Sequence, residues 1–466
     1  MPSDSNRVFT IFGAGLAGTL LAVQLARLGR KVELYERRPD PRRAGAEGGR
    51  SINLALSTRG LDALQRVGLA EEVMREAIPM RGRLMHAIDG SLAYQQYGVT
   101  GSEAINSVSR AGLNMALLDA AEREPLVTIH FGKRCQRVDF ERREAEVLDV
   151  GSAELTRVGY DTLVGADGAF SAVRLSMQMR EGFDYSQTYE SHGYKELTIP
   201  ARRDEGDGPS LPGAEGPFRM RKNALHIWPR RSYMMIALPN ADGSFTCTLF
   251  APFDGPDGLR EVRSGAEARA YIERRFPDAL ALMPTLEEDF VRNPTGSLAT
   301  VRCYPWAIGD SAALLGDAAH AVVPFYGQGM NASFEDVVAL GEAVERHPDD
   351  LGAAYAEYQE RRKPNADAIA TLAVQNFVEM RDKVGSPAFL RKKKWEQRFA
   401  RWFKWYTPLY SMVSFSTIPY AEAVERSIAQ DQRVRRALFG LGLAAAWVVL
   451  LIAVLVWSAL NKGATT

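Results

Sequence analysis

Cysteine is scarce: Cys135, Cys247 and Cys303 stand far apart in 466 residues, with no CxxC pair. That spacing excludes a disulfide framework, a cysteine zinc site and a dithiol redox centre, and it suits a reducing compartment. An excess of either charge is also lacking, since 57 basic residues balance 57 acidic ones. A phosphate-binding surface normally needs a net or clustered positive excess, so nucleic acid is not an expected partner. No basic, apolar leader with a cleavage site opens the chain; a few polar residues lead straight into the apolar stretch 8–12, and export is not expected. Internal repeats and low-complexity tracts are missing as well.

What the sequence does contain exceeds one ordinary domain in length, which implies two packed globular parts and an appendage. Residues 8–12, 13–18, 20–28 and 31–36 read as strand, glycine turn, helix and strand, a βαβ unit. The αβ pattern continues to about Val173. It then gives way to strands at 194–199, 224–228, 233–238 and 245–250, whose short spacing predicts a mostly antiparallel sheet. Residues 209–217 are a Gly/Pro-rich loop, and Asn240-Ala241-Asp242-Gly243 is a hairpin turn. After Arg302 the αβ pattern returns, and 332–436 reads as helical.

The expected fold is therefore α/β. A Rossmann-like dinucleotide-binding domain is expected over residues 1–180, with 75–105 contributing to a ligand site, and over 296–350. A β-sheet substrate domain is inserted at 181–295, and a helical region follows at 351–436. Residues 437–460 are twenty-four uncharged positions, long enough as a helix to cross a hydrocarbon layer of roughly 30 Å. With Arg433, Arg435 and Arg436 before it, the run predicts a single-pass C-terminal membrane anchor with the catalytic part facing the cytoplasm. A buried core helix is the alternative. Residues 392–406 pose a similar choice. Trp395, Phe399, Trp402, Phe403 and Tyr406 recur at helical spacing among Lys393, Lys394, Arg398, Arg401 and Lys404, which suits either an anionic headgroup layer or an amphipathic helix packed on the core.

Three segments carry the chemistry. Gly13-Ala14-Gly15-Leu16-Ala17-Gly18 follows a strand and opens a helix, so backbone can approach a pyrophosphate that the helix N-terminus stabilises; Glu36, ending the second strand, is placed to bind an adenosine ribose. Leu163-Val164-Gly165-Ala166-Asp167-Gly168 ends another apolar strand, with Arg174 close behind. Leu314-Leu315-Gly316-Asp317-Ala318-Ala319-His320 delivers Asp317, a carboxylate suited to ribityl hydroxyls. Pro324-Phe325-Tyr326-Gly327-Gln328-Gly329-Met330-Asn331 then opens a second helix, whose positive end would stabilise a reduced flavin. His320 reads as a general base or as a packed structural histidine.

In this order, the three segments resemble the GxGxxG, DG and GD motifs of the class A flavoprotein monooxygenases, the p-hydroxybenzoate hydroxylase-like family, across nearly 330 residues. More narrowly, residues 49–57, 192–197, 376–381 and 408–413 resemble the kynurenine-hydroxylating branch of that family. The resemblance implies FAD held by Gly13, Gly15, Gly18, Glu36, Arg110 and Asp317, with Asn331 near the isoalloxazine ring. It implies that Arg83, Tyr97, Asn376 and Tyr410 bind an amino-acid carboxylate, and that Pro324 and Phe325 lie beside the aromatic ring. An arginine fork with phenolic and amide donors suits a carboxylate; read alone, Arg83 or Tyr97 is an ordinary surface or core residue.

The activity so implied is NADPH- and O₂-dependent hydroxylation of L-kynurenine to 3-hydroxy-L-kynurenine through a flavin C4a-hydroperoxide, in tryptophan catabolism and quinolinate/NAD biosynthesis. No catalytic side chain beyond the flavin and no metal is required. NADPH has no second glycine fingerprint, because Gly440 and Gly442 fall inside the hydrophobic run, so it is expected to dock transiently. The alternatives are a membrane-associated flavin hydroxylase of a quinone precursor and a non-catalytic flavin-binding redox sensor. A flavin halogenase is disfavoured by the absence of a WxWxIP segment, and a disulfide reductase by the absence of a cysteine pair.

Overall fold

The strand Phe9–Phe12 is buried at every position, as a Phe-Thr-Ile-Phe segment without polar alternation requires: both of its faces must be covered. It lies inside a six-stranded sheet ordered Ala307–Ile308, Ala312–Leu314, Thr162–Gly165, Phe9–Phe12, Val32–Glu36, Val127–Phe131. Neighbours from Ala312–Leu314 to Val127–Phe131 pair in parallel, while the short Ala307–Ile308 edge is antiparallel. Helices Leu16–Arg27 and Gly329–Arg346 share its core, in which Ile11, Leu20, Leu34, Val164, Leu314 and Phe334 are shut off from solvent. The computed structural model describes residues 6–43, 53–98, 100–204, 207–256, 258–379 and 387–462.

A seven-stranded sheet stands beside the first, ordered Gly296–Tyr304, Asp184–Ile199, Phe245–Pro252, Tyr233–Pro239, Leu225–Arg230, Gly82–His86, Leu92–Gln96. Side chains alternate across it with a period of two. Trp228, Met235 and Leu249 pack against Ala268, Ile272 and Phe290 of helices Gly265–Arg275 and Leu286–Arg292. Their neighbours Ile227, Met234 and Phe250 face the opposite way, toward Phe325, Ile369 and Phe377. The four strands expected between 194 and 250 are present, the first as part of the longer Asp184–Ile199, whose early residues pair with Gly296–Tyr304. The hairpin Gly82–His86/Leu92–Gln96 joins through a parallel pairing with Leu225–Arg230, which sets Arg83 opposite Leu225.

The helical stretch expected from 332 onward is divided into Gly329–Arg346, Leu351–Val378, Pro387–Trp402, Leu409–Ser414 and the first part of Tyr420–Lys462. In the 392–406 segment, Phe399 packs on Phe403 and Tyr406, while Trp395, Trp402 and Trp405 are exposed. The side chains of Lys393 and Lys394 lie outside the described residues.

One expectation is overturned. Among the described residues no helix is long and apolar enough to cross a membrane, so the single-pass anchor over 437–460, the membrane as a partner and the cytoplasm-facing orientation are withdrawn. The physical reason lies in the helix to which the run belongs. The run is the distal part of Tyr420–Lys462, whose proximal part carries Glu422, Glu425, Arg426, Asp431, Arg433, Arg435 and Arg436.

Candidate active site

The three motif segments converge at the carboxyl ends of adjacent parallel strands, where ligands of open α/β sheets are held. Gly13 has φ of 105°, a left-handed value, and an added Cβ would lie 2.4 Å from the Ala166 carbonyl oxygen and 2.9 Å from the Asp167 Cα. Arg174 then crosses from the second segment to the third, donating from Nη1 to the Ala318 carbonyl at 2.8 Å and from Nη2 to the Ala169 carbonyl. Gly316 in turn backs onto the first turn of Leu16–Arg27, where its added Cβ would lie 3.5 Å from the Ala17 Cβ.

This arrangement suits a flavin dinucleotide. Gly15 is the N-cap of Leu16–Arg27, and an added Cβ there would meet nothing within 4 Å, so that turn of backbone is open to a phosphate. Glu36 is buried and accepts from the Ala14 amide at 3.0 Å and from the Arg38 amide and Nε, both at 3.0 Å; it supports the glycine turn from behind. Asp317 is exposed by area yet ringed by protein. The surrounding protein raises its carboxyl above the ordinary range by desolvation, against the opposing charges of Arg110 and His320. Arg110 itself is exposed at the start of the helix Arg110–Arg123.

Asn331 is wholly buried, and its amide is occupied by backbone. Its Oδ1 accepts from the Ser57 amide at 3.0 Å, while its Nδ2 donates to the Ala55 carbonyl at 2.8 Å and the Gly327 carbonyl at 2.9 Å. It therefore pins the strand Asn53–Leu56 to the turn that contains Pro324 and Phe325.

His320 is a buried partner of Asp336, stacked on Trp306 at 5.2 Å. Asp336 also accepts from the Gly316 amide at 3.2 Å and from Arg362 Nε at 2.6 Å. Burial opposes the charge on Asp336, but His320 and Arg362 outweigh it and hold the carboxyl below its usual range. A carboxylate held low in the folded state stabilises the fold fully above its unfolded pKa, and that contribution fades as pH falls through the ordinary carboxylate range and below it. Asp336→Asn is accordingly expected to cost about 3–5 kcal/mol at neutral pH, because Arg362 is left buried beside a neutral amide. A thermal melt checks this: the deficit should be large at neutral pH and shrink in acid, and a variant melting with its parent at neutral pH would contradict it.

The second cluster forms where the added hairpin meets the C-terminal segment. The Arg83 guanidinium lies 4.6 Å from the ring of Tyr410 and 5.5 Å from that of Tyr97. Tyr97 and Tyr410 stack at 5.7 Å, and Tyr410 stacks on Tyr326 at 5.5 Å. Arg83 Nε is a buried polar atom with no hydrogen-bond partner among the described residues, and the Tyr97 hydroxyl is buried beside it. Burial raises the Tyr97 phenol, which stays protonated; burial also works against the Arg83 charge, but the neighbouring phenol oxygens outweigh it and the guanidinium stays charged. From this cluster an apolar wall continues: Phe325 stacks on Phe377 at 4.0 Å and tilts against Phe250 at 4.8 Å, and Asn376 Nδ2 donates to the Phe325 carbonyl at 2.6 Å.

The structure thus brings Arg83, Tyr97 and Tyr410 together, and separately ties Asn376 to Phe325 beside Pro324, with Tyr326 joining the two groups. Residue reading did not single out Tyr326 or Phe377, although Tyr326 stands inside the quoted Pro324–Asn331 segment; an aromatic directly after Pro-Phe was the available signal. Residues 49–52 and 380–381 of the resembling segments lie outside the described residues.

A family model described as an FAD binding domain matches residues 6–212 and 219–373. Among curated relatives, a kynurenine 3-monooxygenase of Myxococcus xanthus is 47% identical over 423 residues, 91% of this chain and 89% of that protein. One of Stenotrophomonas maltophilia is 45% identical over 94% of both chains, and one of Salinispora arenicola is 45% identical over 93% of both. Of the solved structures, 2-methyl-3-hydroxypyridine-5-carboxylic acid oxygenase superposes with a TM-score of 0.65 at 20% identity, over 83% of this chain and 95% of that one. Tetracycline destructase Tet(51) superposes with a TM-score of 0.59 at 17% identity, over 90% and 100%. At these identities the structural likeness carries the fold alone.

Proposed function

The chain belongs to the kynurenine 3-monooxygenase family and is an FAD-dependent monooxygenase, and from that premise we propose that it hydroxylates L-kynurenine to 3-hydroxy-L-kynurenine with NADPH and O₂ as co-substrates. The observation that carries the substrate is the Arg83–Tyr97–Tyr410 cluster, in which a buried, charged guanidinium keeps Nε without a partner among the described residues beside the two phenols. Such a cluster calls for an anionic ligand with lone pairs to give, and a carboxylate matches the planar fork of arginine.

FAD, when bound and reduced by NADPH, supplies the activation of oxygen. Gly13, Gly15, Gly18 and the start of Leu16–Arg27 would hold its pyrophosphate, Glu36 its adenosine ribose, and Asp317 with Arg110 its ribityl chain. Asn331 would act at one remove, by fixing the backbone of residues 55, 57 and 327. Phe325, Phe377 and Phe250 form an apolar wall that excludes water and offers a face to an aromatic ring, while Arg83, Tyr97, Tyr410 and Asn376 orient the amino-acid end.

A hydroxylase of an apolar quinone precursor is not favoured, because such a ligand would leave the Arg83 charge buried and uncompensated. A non-catalytic flavin scaffold is not favoured by relatives that share enzyme names over nine-tenths of the chain. Substrate-stimulated oxidation of NADPH separates the three readings. The expected result is strong stimulation by kynurenine and a clear preference for NADPH over NADH; stimulation by an apolar phenol instead, or by no substrate, would overturn the proposal.

A further inference from the structure

Arg59 takes no part in the cleft just described, yet it is a heavily engaged buried cation beside it. It sits at the start of helix Thr58–Arg66 and is 1% exposed. Its Nε donates to the Val413 carbonyl at 2.7 Å, and its Nη2 donates to the Met412 carbonyl at 3.1 Å and to the Ile418 carbonyl. Its Nη1 pairs with Glu335 of helix Gly329–Arg346, whose other oxygen receives Arg362 Nη1 at 3.1 Å. The guanidinium also lies 4.0 Å from the Tyr420 ring, and the Tyr420 hydroxyl donates to Gln328 at 2.9 Å.

Every one of those three carbonyls belongs to the segment that follows Tyr410. The short helix Leu409–Ser414 makes few turns of its own and cannot hold itself in place; a helix of that length is marginal without tertiary contacts. Besides the burial of Met412 and Val413 in the core, it is held by a cation on an element far away in sequence, anchored on its other side by Glu335. Three carbonyl acceptors at the fork of one guanidinium define a position and an angle, which a point charge on a flexible stem would not.

We infer that Arg59 is a positioning residue for the substrate site: by clamping the carbonyls of Met412, Val413 and Ile418 it sets Tyr410 against Arg83. The inference rests on the reading of Arg83 and Tyr410 as the carboxylate end of a kynurenine site, and it goes beyond that reading by naming what holds one of those side chains.

A double-mutant cycle on the purified, flavin-loaded enzyme tests it. Arg59→Lys keeps the charge and loses the fork. It is expected to raise KM for kynurenine about tenfold or more, with FAD content and KM for NADPH unchanged. In the Tyr410→Ala background the same change should then add less than about twofold, because the group it positions is gone. Glu335→Gln, which retains an acceptor for Arg59, should give a smaller rise in KM and the same loss of effect beside Tyr410→Ala; it carries the test if Arg59→Lys does not fold. Effects that multiply in the double variants, or variants that lower Tm while leaving KM for kynurenine at the parent value, overturn the inference. A parent enzyme that binds flavin but does not turn over kynurenine fails at the earlier step, removing the premise and the inference with it.

Discussion

Gly18→Ala is expected to yield protein without bound FAD. A Cβ at position 18 would stand 2.0 Å from the Gly13 carbonyl oxygen and 3.1 Å from the Ala166 Cβ. The first of these neighbours is backbone and cannot rotate away, so helix Leu16–Arg27 must separate from the turn that would bind the pyrophosphate. The expected loss is at least about a hundredfold in FAD affinity, read by flavin absorbance after titration of the apoprotein. Gly15→Ala is the informative companion. Its added Cβ meets no protein atom within 4 Å, so the apoprotein should melt like its parent while the methyl occupies the face offered to the phosphate. Parent-like flavin affinity in both variants would show that the dinucleotide is held elsewhere.

Arg83→Ala is expected to lower kcat/KM for kynurenine by about a hundredfold, mainly through KM, while FAD stays bound. The magnitude follows from hydrogen bonds to a charged group, each worth about 1.5–3 kcal/mol, with 1.4 kcal/mol per factor of ten. Arg83→Lys should recover part of the loss, since it restores the charge without the two-pronged geometry. Flavin content separates this result from general damage: the strand Gly82–His86 lies in the second sheet, away from the glycine turn. A variant that loses flavin and retains kynurenine affinity would contradict the placement of Arg83 at the substrate.

The flavin half of the molecule was legible in the residues because its signals are local. Gly13 to Gly18 between an apolar strand and a helix, and Glu36 closing the next strand, each declare a backbone geometry within a few positions of themselves. The inserted sheet was legible for the same reason, its strands following one another across short turns. The substrate end was not. Arg83 reaches its place through a parallel pairing with residues about 140 positions later, and Tyr410 through the clamp from Arg59, more than 350 positions earlier. No periodicity or spacing encodes such partners, and only the family resemblance pointed to Arg83, Tyr97 and Tyr410. The opposite error arose at the C-terminus. There an uncharged run behind a basic flank reads as a bilayer crossing, whereas it continues a helix with a heavily charged beginning, and among the described residues no helix is long and apolar enough to cross.

The claim on which the rest depends is that this chain transfers one atom of dioxygen to kynurenine. Turnover of kynurenine with NADPH under isotopically heavy O₂, followed by mass analysis of the product, tests it directly. The account predicts a ring-hydroxylated kynurenine carrying one heavy oxygen atom per molecule. Unlabelled product, or NADPH oxidised with kynurenine recovered unchanged, would contradict it.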